Sequence, residues 1–575
     1  MSHSQAESVI KNIIREIAQE CAAKGQSVSE TLVAFMVKAV VLDPANGFNV
    51  DRTLTKTDVQ NLIKLCVDRL TDTINPSLDT IKMQIYFDMN YTNRGDFLEE
   101  HHRILDSRLA PVGREITDCR ARSREELEAL YRKIISYVLL RSGLGSPTDI
   151  KVVREATAAL QSVFPQLELG NFLSLAKKDK ELQLKELAMI VTGIRLFNKD
   201  SGKGGEGIDD LPSILNEAVP ATTKHIDVNL QESQELAYQY TAILEMLEEK
   251  HDQSNEATKF LLRKALFNLR QHEVFLHIIL GDVITCAQQV ELMEKQLREQ
   301  LEQLKYTVLA KLAVPTEQVY PHFISLSNLW NGFQDEIVLL SVLSNMVTNL
   351  QPFLGTHEQL LPPNVLEPLM TEVKVKSDED RINETLGNRI NVSDFKKQEF
   401  FFPENTVNFD QLTIQYHGFC GYTLAAKDGL LLPGNPDIGI LKHNDKYYVF
   451  SSKESAYSFA KDPNKYIKLI GEKAKKHAEL IQLLELYQQF ASIIPYSQAN
   501  LRRKVTHSMQ TNNSNMRREN ATQVYPPKQT GTQNKRDNSS NVPKPQIYLA
   551  GLRGGQTSTA TEMVKVDLTR SVKET

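Results

Sequence analysis

The sequence predicts a mainly α protein: a multi-helix N-terminal body, a small α+β cassette and a disordered C-terminal tail. Three observations carry this. Apolar residues recur at helical spacing through roughly the first 350 residues. Between Tyr416 and Ile467, apolar and aromatic runs are split by Gly/Pro and polar turns, the pattern of short strands and a short helix. From Thr506 onward the chain is rich in Asn, Thr, Gln and Lys and poor in large apolar side chains, so it lacks the means to bury a core. With 575 residues the chain has room for several domains of roughly 100–200 residues each.

The helical elements follow in order. Val9, Ile10, Ile13, Ile14 and Ile17 make one apolar stripe. Thr57 or Asp58 is placed to cap a helix whose stripe includes Leu62, Ile63, Cys66 and Leu70. Ser123 and Glu126 have the spacing of a capping box, and Gly143 and Gly145 stop that helix. These elements predict an N-terminal helical domain over 1–197. The glycine-rich NKDSGKGGEGIDDLP (198–212) lacks the GxxxxGK[ST] spacing of a phosphate loop and reads as a flexible surface loop within a linker over 198–225.

A helical domain with long helices is expected over 226–352. Val290, Met293, Leu297, Leu301, Leu304 and Val308 alternate three- and four-residue steps before Pro315. About three heptads suit a coiled coil only at its lower limit, and a helix hairpin folded onto its own domain is favoured. The only tryptophan, Trp330, reads as a core anchor. Residues 353–410 read as a linker with an apolar lead-in, QEFFFPENTVNF; 411–470 as the cassette, opening on a cysteine-bearing strand; 471–496 as an amphipathic helix burying Leu480, Leu483, Leu484, Tyr487 and Phe490; and 506–575 as the basic tail.

Charge and chemistry narrow the function. The net charge of −5 divides unevenly: residues 501–575 carry 13 Lys/Arg against 5 Asp/Glu, leaving 54 against 67 in the first 500. The early apolar run TLVAFMVKAVVL is twelve residues long, short of the ~20 a membrane span needs. The N-terminus lacks the basic start of a signal peptide, so a cytoplasmic location is expected. Cys21, Cys66 and Cys286 sit in apolar helical patterns as buried hydrophobes. His101-His102 lacks HExxH spacing and reads as a solvated helix face, as do the carboxylate pairs Glu99-Glu100 and Glu248-Glu249. With no GxSxG or Walker motif, no catalytic residue, cofactor or enzymatic activity is expected. The acidic body and scarce tail aromatics exclude a nucleic-acid partner, and no membrane partner is expected.

The cassette resembles a YHS domain, a small module of metal-handling proteins that also occurs, in divergent form, in ciliary proteins. Cys420-Gly421, Tyr447, Tyr448, Phe450, Phe459 and the Asp462-Pro463-Asn464-Lys465-Tyr466 stop carry the likeness. Where the metal-linked form has two further cysteines, this chain has Ser451 and Ser455. A hydroxyl stays protonated near neutral pH and is a poor ligand for soft or borderline metals, so no metal site is expected. The rival is a metal or redox protein using Cys420 with His417 and His443.

The order of parts, from the helical body through FFFPENTVNF to GFCGYTL and GLLLPGNP, resembles the cilia- and flagella-associated protein 206 family over residues 1 to about Tyr496. The resemblance implies a non-enzymatic axonemal adaptor docking the second radial spoke and its inner-arm dynein onto doublet microtubules, in support of cilium and sperm motility. It implies a place in the cytoskeleton of the cilium or flagellum. An assembly or trafficking factor at the ciliary base is the alternative. Expected partner contacts are Phe400, Phe401, Phe402, Tyr422, Tyr447, Tyr457 and Phe459. Expected contacts to the acidic microtubule surface are Arg502, Arg503, Lys504, Arg517, Arg518, Lys535 and Arg536 in the tail.

Overall fold

A computed structural model describes residues 3–48, 55–249, 256–309, 314–356, 360–371, 373–395, 398–405, 409 and 412–490. The basic tail and its seven expected contacts lie outside the described residues. The mainly α expectation holds: helices account for most of the described chain, and the one sheet among the described residues has three strands. The chain divides into two compact units, each assembled from separate stretches.

The first unit takes the described residues within Met1–Tyr91, Asp227–His277 and Thr348–Asn541. It begins with α1 (His3–Ala23), α2 (Glu30–Leu42), α3 (Lys56–Thr71) and α4 (Pro76–Asn90). Thr55, rather than Thr57 or Asp58, caps α3. Its hydroxyl accepts from Asp58 N at 3.2 Å, and Asp58 accepts from Thr55 N at 2.9 Å, a complete capping box. Ile17, Cys21, Val33, Met36, Leu62, Cys66 and Leu70 fill the bundle core. Val9 and Ile10 of the expected stripe are instead exposed. Each fully buried aliphatic side chain contributes roughly 1.5–3 kcal/mol, against about 0–1 kcal/mol for an exposed ion pair, so packing dominates here.

The second unit takes Thr92–Ile226 and Ile278–Val347. Its helices α5 (Arg94–Thr117), α6 (Arg124–Ser142), α7 (Ile150–Val163), α8 (Leu169–Ser174) and α9 (Lys177–Asp200) enclose a core with Ile116, Tyr131, Ile134, Val138, Leu160, Phe164, Phe172, Leu184 and Val191. The Ser123–Glu126 capping box and the left-handed Gly143 stop of α6 form as the sequence predicts. His101 is buried, so only His102 meets the expectation of a solvated face: it is exposed, with Nε2 2.8 Å from Asp335 Oδ2.

Three long helices, α10 (Leu211–Glu249), α11 (Glu256–Leu309) and α12 (Thr316–Leu350), give residues to both units. The linker expected over 198–225 is therefore helical from Leu211 on. The glycine loop before it is tied down: Glu155 accepts from Gly205 N and Glu206 N, both at 2.9 Å, and Arg195 donates to Leu144 O at 2.6 Å and Glu206 O at 3.0 Å. Its backbone amides hold the chain's own carboxylate. The favoured intrachain hairpin is seen within the second unit, where His322 of α12 lies 2.9 Å from Gln300 of α11 and Gly332 faces Met293. Trp330 is buried beside Phe333. By length and composition α11 and α12 could each cross a membrane, a test that core helices also pass.

After α12 come α13 (Pro363–Met370), α14 (Asp378–Glu384), β1 (Glu399–Phe401), α15 (Gly421–Ala426), β2 (Ile440–His443), β3 (Lys446–Tyr448), α16 (Lys453–Lys461), α17 (Pro463–Lys476) and α18 (Glu479–Leu483). The amphipathic helix expected over 471–496 is not continuous. It breaks at His477 and again at Glu485, which adopts φ 52. Leu480, Leu483, Leu484 and Phe490 are buried all the same.

Candidate functional site

The cassette is built on an antiparallel sheet of order β1-β2-β3. The apolar lead-in supplies the edge strand, with Phe400 opposite Leu441 and Phe401 opposite Ile440. Asn444 and Asp445 join β2 to β3 with φ 51 and 57, the left-handed pair that a tight hairpin turn matching strand twist requires. Cys420 is not on a strand as expected. It precedes α15, and its backbone N donates to Leu432 O at 2.8 Å. Gly421 lets the start of α15 pack against Phe459, because a Cβ there would lie 2.9 Å from that ring.

The cassette is not a separate bead. Its Tyr416, Cys420, Leu424, Phe450, Phe459, Ile470 and Leu480 share one core with Tyr240, Leu244, Leu262 and Phe267 of the long helices α10 and α11. Buried charge reinforces the join. Lys264 pairs with the Glu479 carboxylate, which also accepts from Ser77 Oγ at 2.9 Å. Gln84 Nε2 donates to Glu479 O and to Gln271 Oε1, both at 2.7 Å. Arg263 and Lys473 both reach Asp428, at 2.6 Å each. Burial is the largest influence on Glu479 and opposes its ionisation, but the Lys264 ammonium, the neighbouring His477 and the hydrogen bonds together hold the carboxyl below its ordinary range. Burial, aided by Lys264, pushes the His477 imidazole down to about 4. Burial raises Glu273 to about 6, with Arg270 opposing the shift.

The seven expected partner contacts divide. Phe459 is fully buried, 5.3 Å from the Phe450 ring and 5.4 Å from Tyr448, so it is core and cannot meet a partner. The other six are half-buried. Phe401 packs edge-on to Tyr447, and Tyr422 against Tyr466. Phe400 and Tyr457 meet through Phe395, and the Tyr457 hydroxyl donates to Asp394 at 2.7 Å. Phe402 lies under the Arg389 guanidinium.

The structure does not bring the rival metal trio together. Cys420 is buried in the apolar core, His443 Nε2 lies 2.9 Å from Asn464 Oδ1, and His417 Nε2 lies 3.5 Å from Glu485. Among the described residues no three His, Cys, Asp or Glu side chains are placed to share an ion. Ser455, at one of the two substituted positions, has its hydroxyl 2.9 Å from that of Ser452, the N-cap of α16. The Ser455 hydroxyl thus belongs to the hydrogen bonds at a helix start.

Two features were missed from sequence: the buried ion pairs, and the exposed lysines of α17. A signal for the first was present, since Lys264, Asn268, Arg270, Gln271, His272 and Glu273 interrupt an otherwise apolar stretch of α11.

Fold and site together define a mainly α protein whose small three-stranded cassette is built into the core of its long helices. The profile of the FAP206 family, described as a domain of unknown function, matches residues 214–491. Cilia- and flagella-associated protein 206 of Bos taurus is 63% identical over 623 aligned positions, and that of Homo sapiens 61%, each alignment covering all of both chains. The protein of that name from Tetrahymena thermophila is 26% identical over 84% of this chain and 78% of its own. The chain belongs to the cilia- and flagella-associated protein 206 family. No solved structure shows a significant match.

Proposed function

We propose that the chain is a non-enzymatic structural adaptor of the ciliary and flagellar axoneme. It docks the second radial spoke and associated inner-arm dynein onto doublet microtubules, and so supports cilium and sperm motility. Family membership places its relatives with cilia and flagella by name. The observation that carries the docking role is the shared core between cassette and long helices. A cassette fixed by packing and buried ion pairs presents its partner surfaces at set positions, and linked surfaces raise one another's effective concentration. Phe401 with Tyr447 and Tyr422 with Tyr466 are its proposed partner contacts, and the arginines and lysines of the tail add attraction to the acidic microtubule.

Extraction of tagged protein from isolated cilia tests this. The adaptor stays with the axoneme in detergent and leaves only in high salt. Release by detergent alone, or confinement to the ciliary base, contradicts it.

A further inference from the structure

Helix α17 turns Pro463, Ile470, Gly471 and Ala474 into the core. On the opposite side Lys465, Lys468, Glu472, Lys475 and Lys476 are all exposed. At 3.6 residues per turn these five fall within an arc of about 100° along about 16 Å of helix. Lys461, exposed at the end of α16, adds a further cation. Among the described residues no carboxylate forms an ion pair with any of these five lysines. The acids beside them are Glu472 and Asp462, whose Oδ1 accepts from Lys465 N at 3.1 Å. Lys473, off this face, is engaged by Asp428.

The exposed faces of α5 and α6 differ. Arg103 pairs with Glu100, and Arg124 and Arg132 with Glu128, the self-neutralising pattern of a solvated face. Across the first 500 residues acids outnumber bases 67 to 54, so an uncompensated lysine row reverses the local sign.

We propose that this lysine face docks an acidic, Asp/Glu-rich protein surface, which, resting on the functional reading above, is the wall of the doublet microtubule. The chemistry selects this occupant. A membrane-lying helix immerses its apolar face, but the apolar face of α17 is already in the core. Nucleic acid is recognised through free stacking platforms beside positive charge; this arc carries no aromatic residue, and the adjacent Tyr466, under Lys465 Nζ at 5.9 Å, already stacks on Phe459 and packs against Tyr422. Lysines are compact, strongly hydrated charges on flexible stems, suited to many loosely placed carboxylates rather than to fixed bidentate recognition.

The test uses the full chain, co-sedimented with polymerised tubulin over a salt series. A quadruple variant, Lys465→Gln, Lys468→Gln, Lys475→Gln and Lys476→Gln, is compared with the matching four Lys→Arg changes. All four sites are exposed, so thermal melts should stay unchanged. The glutamine variant should bind about tenfold more weakly at low salt and lose part of its salt dependence, while the arginine variant binds like the unmodified chain. Equal binding by the glutamine variant overturns the proposal, as does failure of the unmodified chain to sediment. Loss confined to vesicles containing phosphatidylserine, with microtubule binding intact, also overturns it. Axonemal retention separates the two claims: if both chains are retained equally the lysine face is wrong, whereas an unmodified chain that washes out with detergent contradicts the adaptor function itself.

Discussion

Arg270 donates from Nη1 and Nη2 to the two carboxylate oxygens of Asp378, at 2.7 and 2.9 Å, linking α11 to the helix that precedes the cassette. Arg270 also bonds Glu273 at 2.9 Å and lies over the rings of Tyr238 and Phe419. The guanidinium is almost completely buried, so removing Asp378 leaves Glu273 as its remaining carboxylate partner and costs a bidentate, charge-assisted pair. Asp378→Ala should therefore destabilise the first unit by about 2 kcal/mol, read as a lower urea midpoint.

The His477 imidazole is mostly buried beside Lys264 and Arg263, with Glu479 and Asp428 opposing them. Its folded value, about 4, lies below its ordinary 6.5. Between these values the unfolded chain binds the extra proton, so stability is full above pH 6.5 and is lost as pH falls towards 4. The loss amounts to about 3 kcal/mol. His477→Gln should flatten that part of the profile, measured by urea unfolding at pH 7 and pH 4.5.

Gly193 lies mid-helix in α9, where a Cβ would fall on the backbone of Phe323 in α12. Backbone cannot swing aside as a long side chain can. Gly193→Ala should force the two helices apart within the second unit, at a cost of about 1–3 kcal/mol, seen as a lower melting temperature.

The cassette hydroxyls make a chemical prediction. Ser452→Ala should cost about 1 kcal/mol through loss of the α16 cap. Elemental analysis of the purified chain should return no stoichiometric zinc, iron or copper, because the donors a soft metal needs do not converge on Cys420. A stoichiometric metal that disappears in Cys420→Ser would favour the redox rival.

What was legible in the sequence was local. Ser123, Glu126 and Gly143 announced α6 because caps are decided by residues within one turn of each other. Thr55 escaped because three cap-type residues stand close together and only Thr55 has an acid at its third helical position. The sequence around Cys420 suggests a strand where the structure has the start of α15, because short apolar runs do not distinguish strand from helix. Phe459 looked available because a residue on a short amphipathic helix gives no sign of which side another element covers. Arg270 could not be paired from sequence, since Asp378 lies 108 residues away. Nor could the merging of cassette and long helices into one core, which depends on contacts across similar separations.

Docking of the second radial spoke is best tested by cryo-electron tomography of axonemes from cells lacking this protein. This spoke should be missing or detached in each repeat while neighbouring spokes remain, and re-expression should restore it. Axonemes with every spoke in place would contradict the adaptor role.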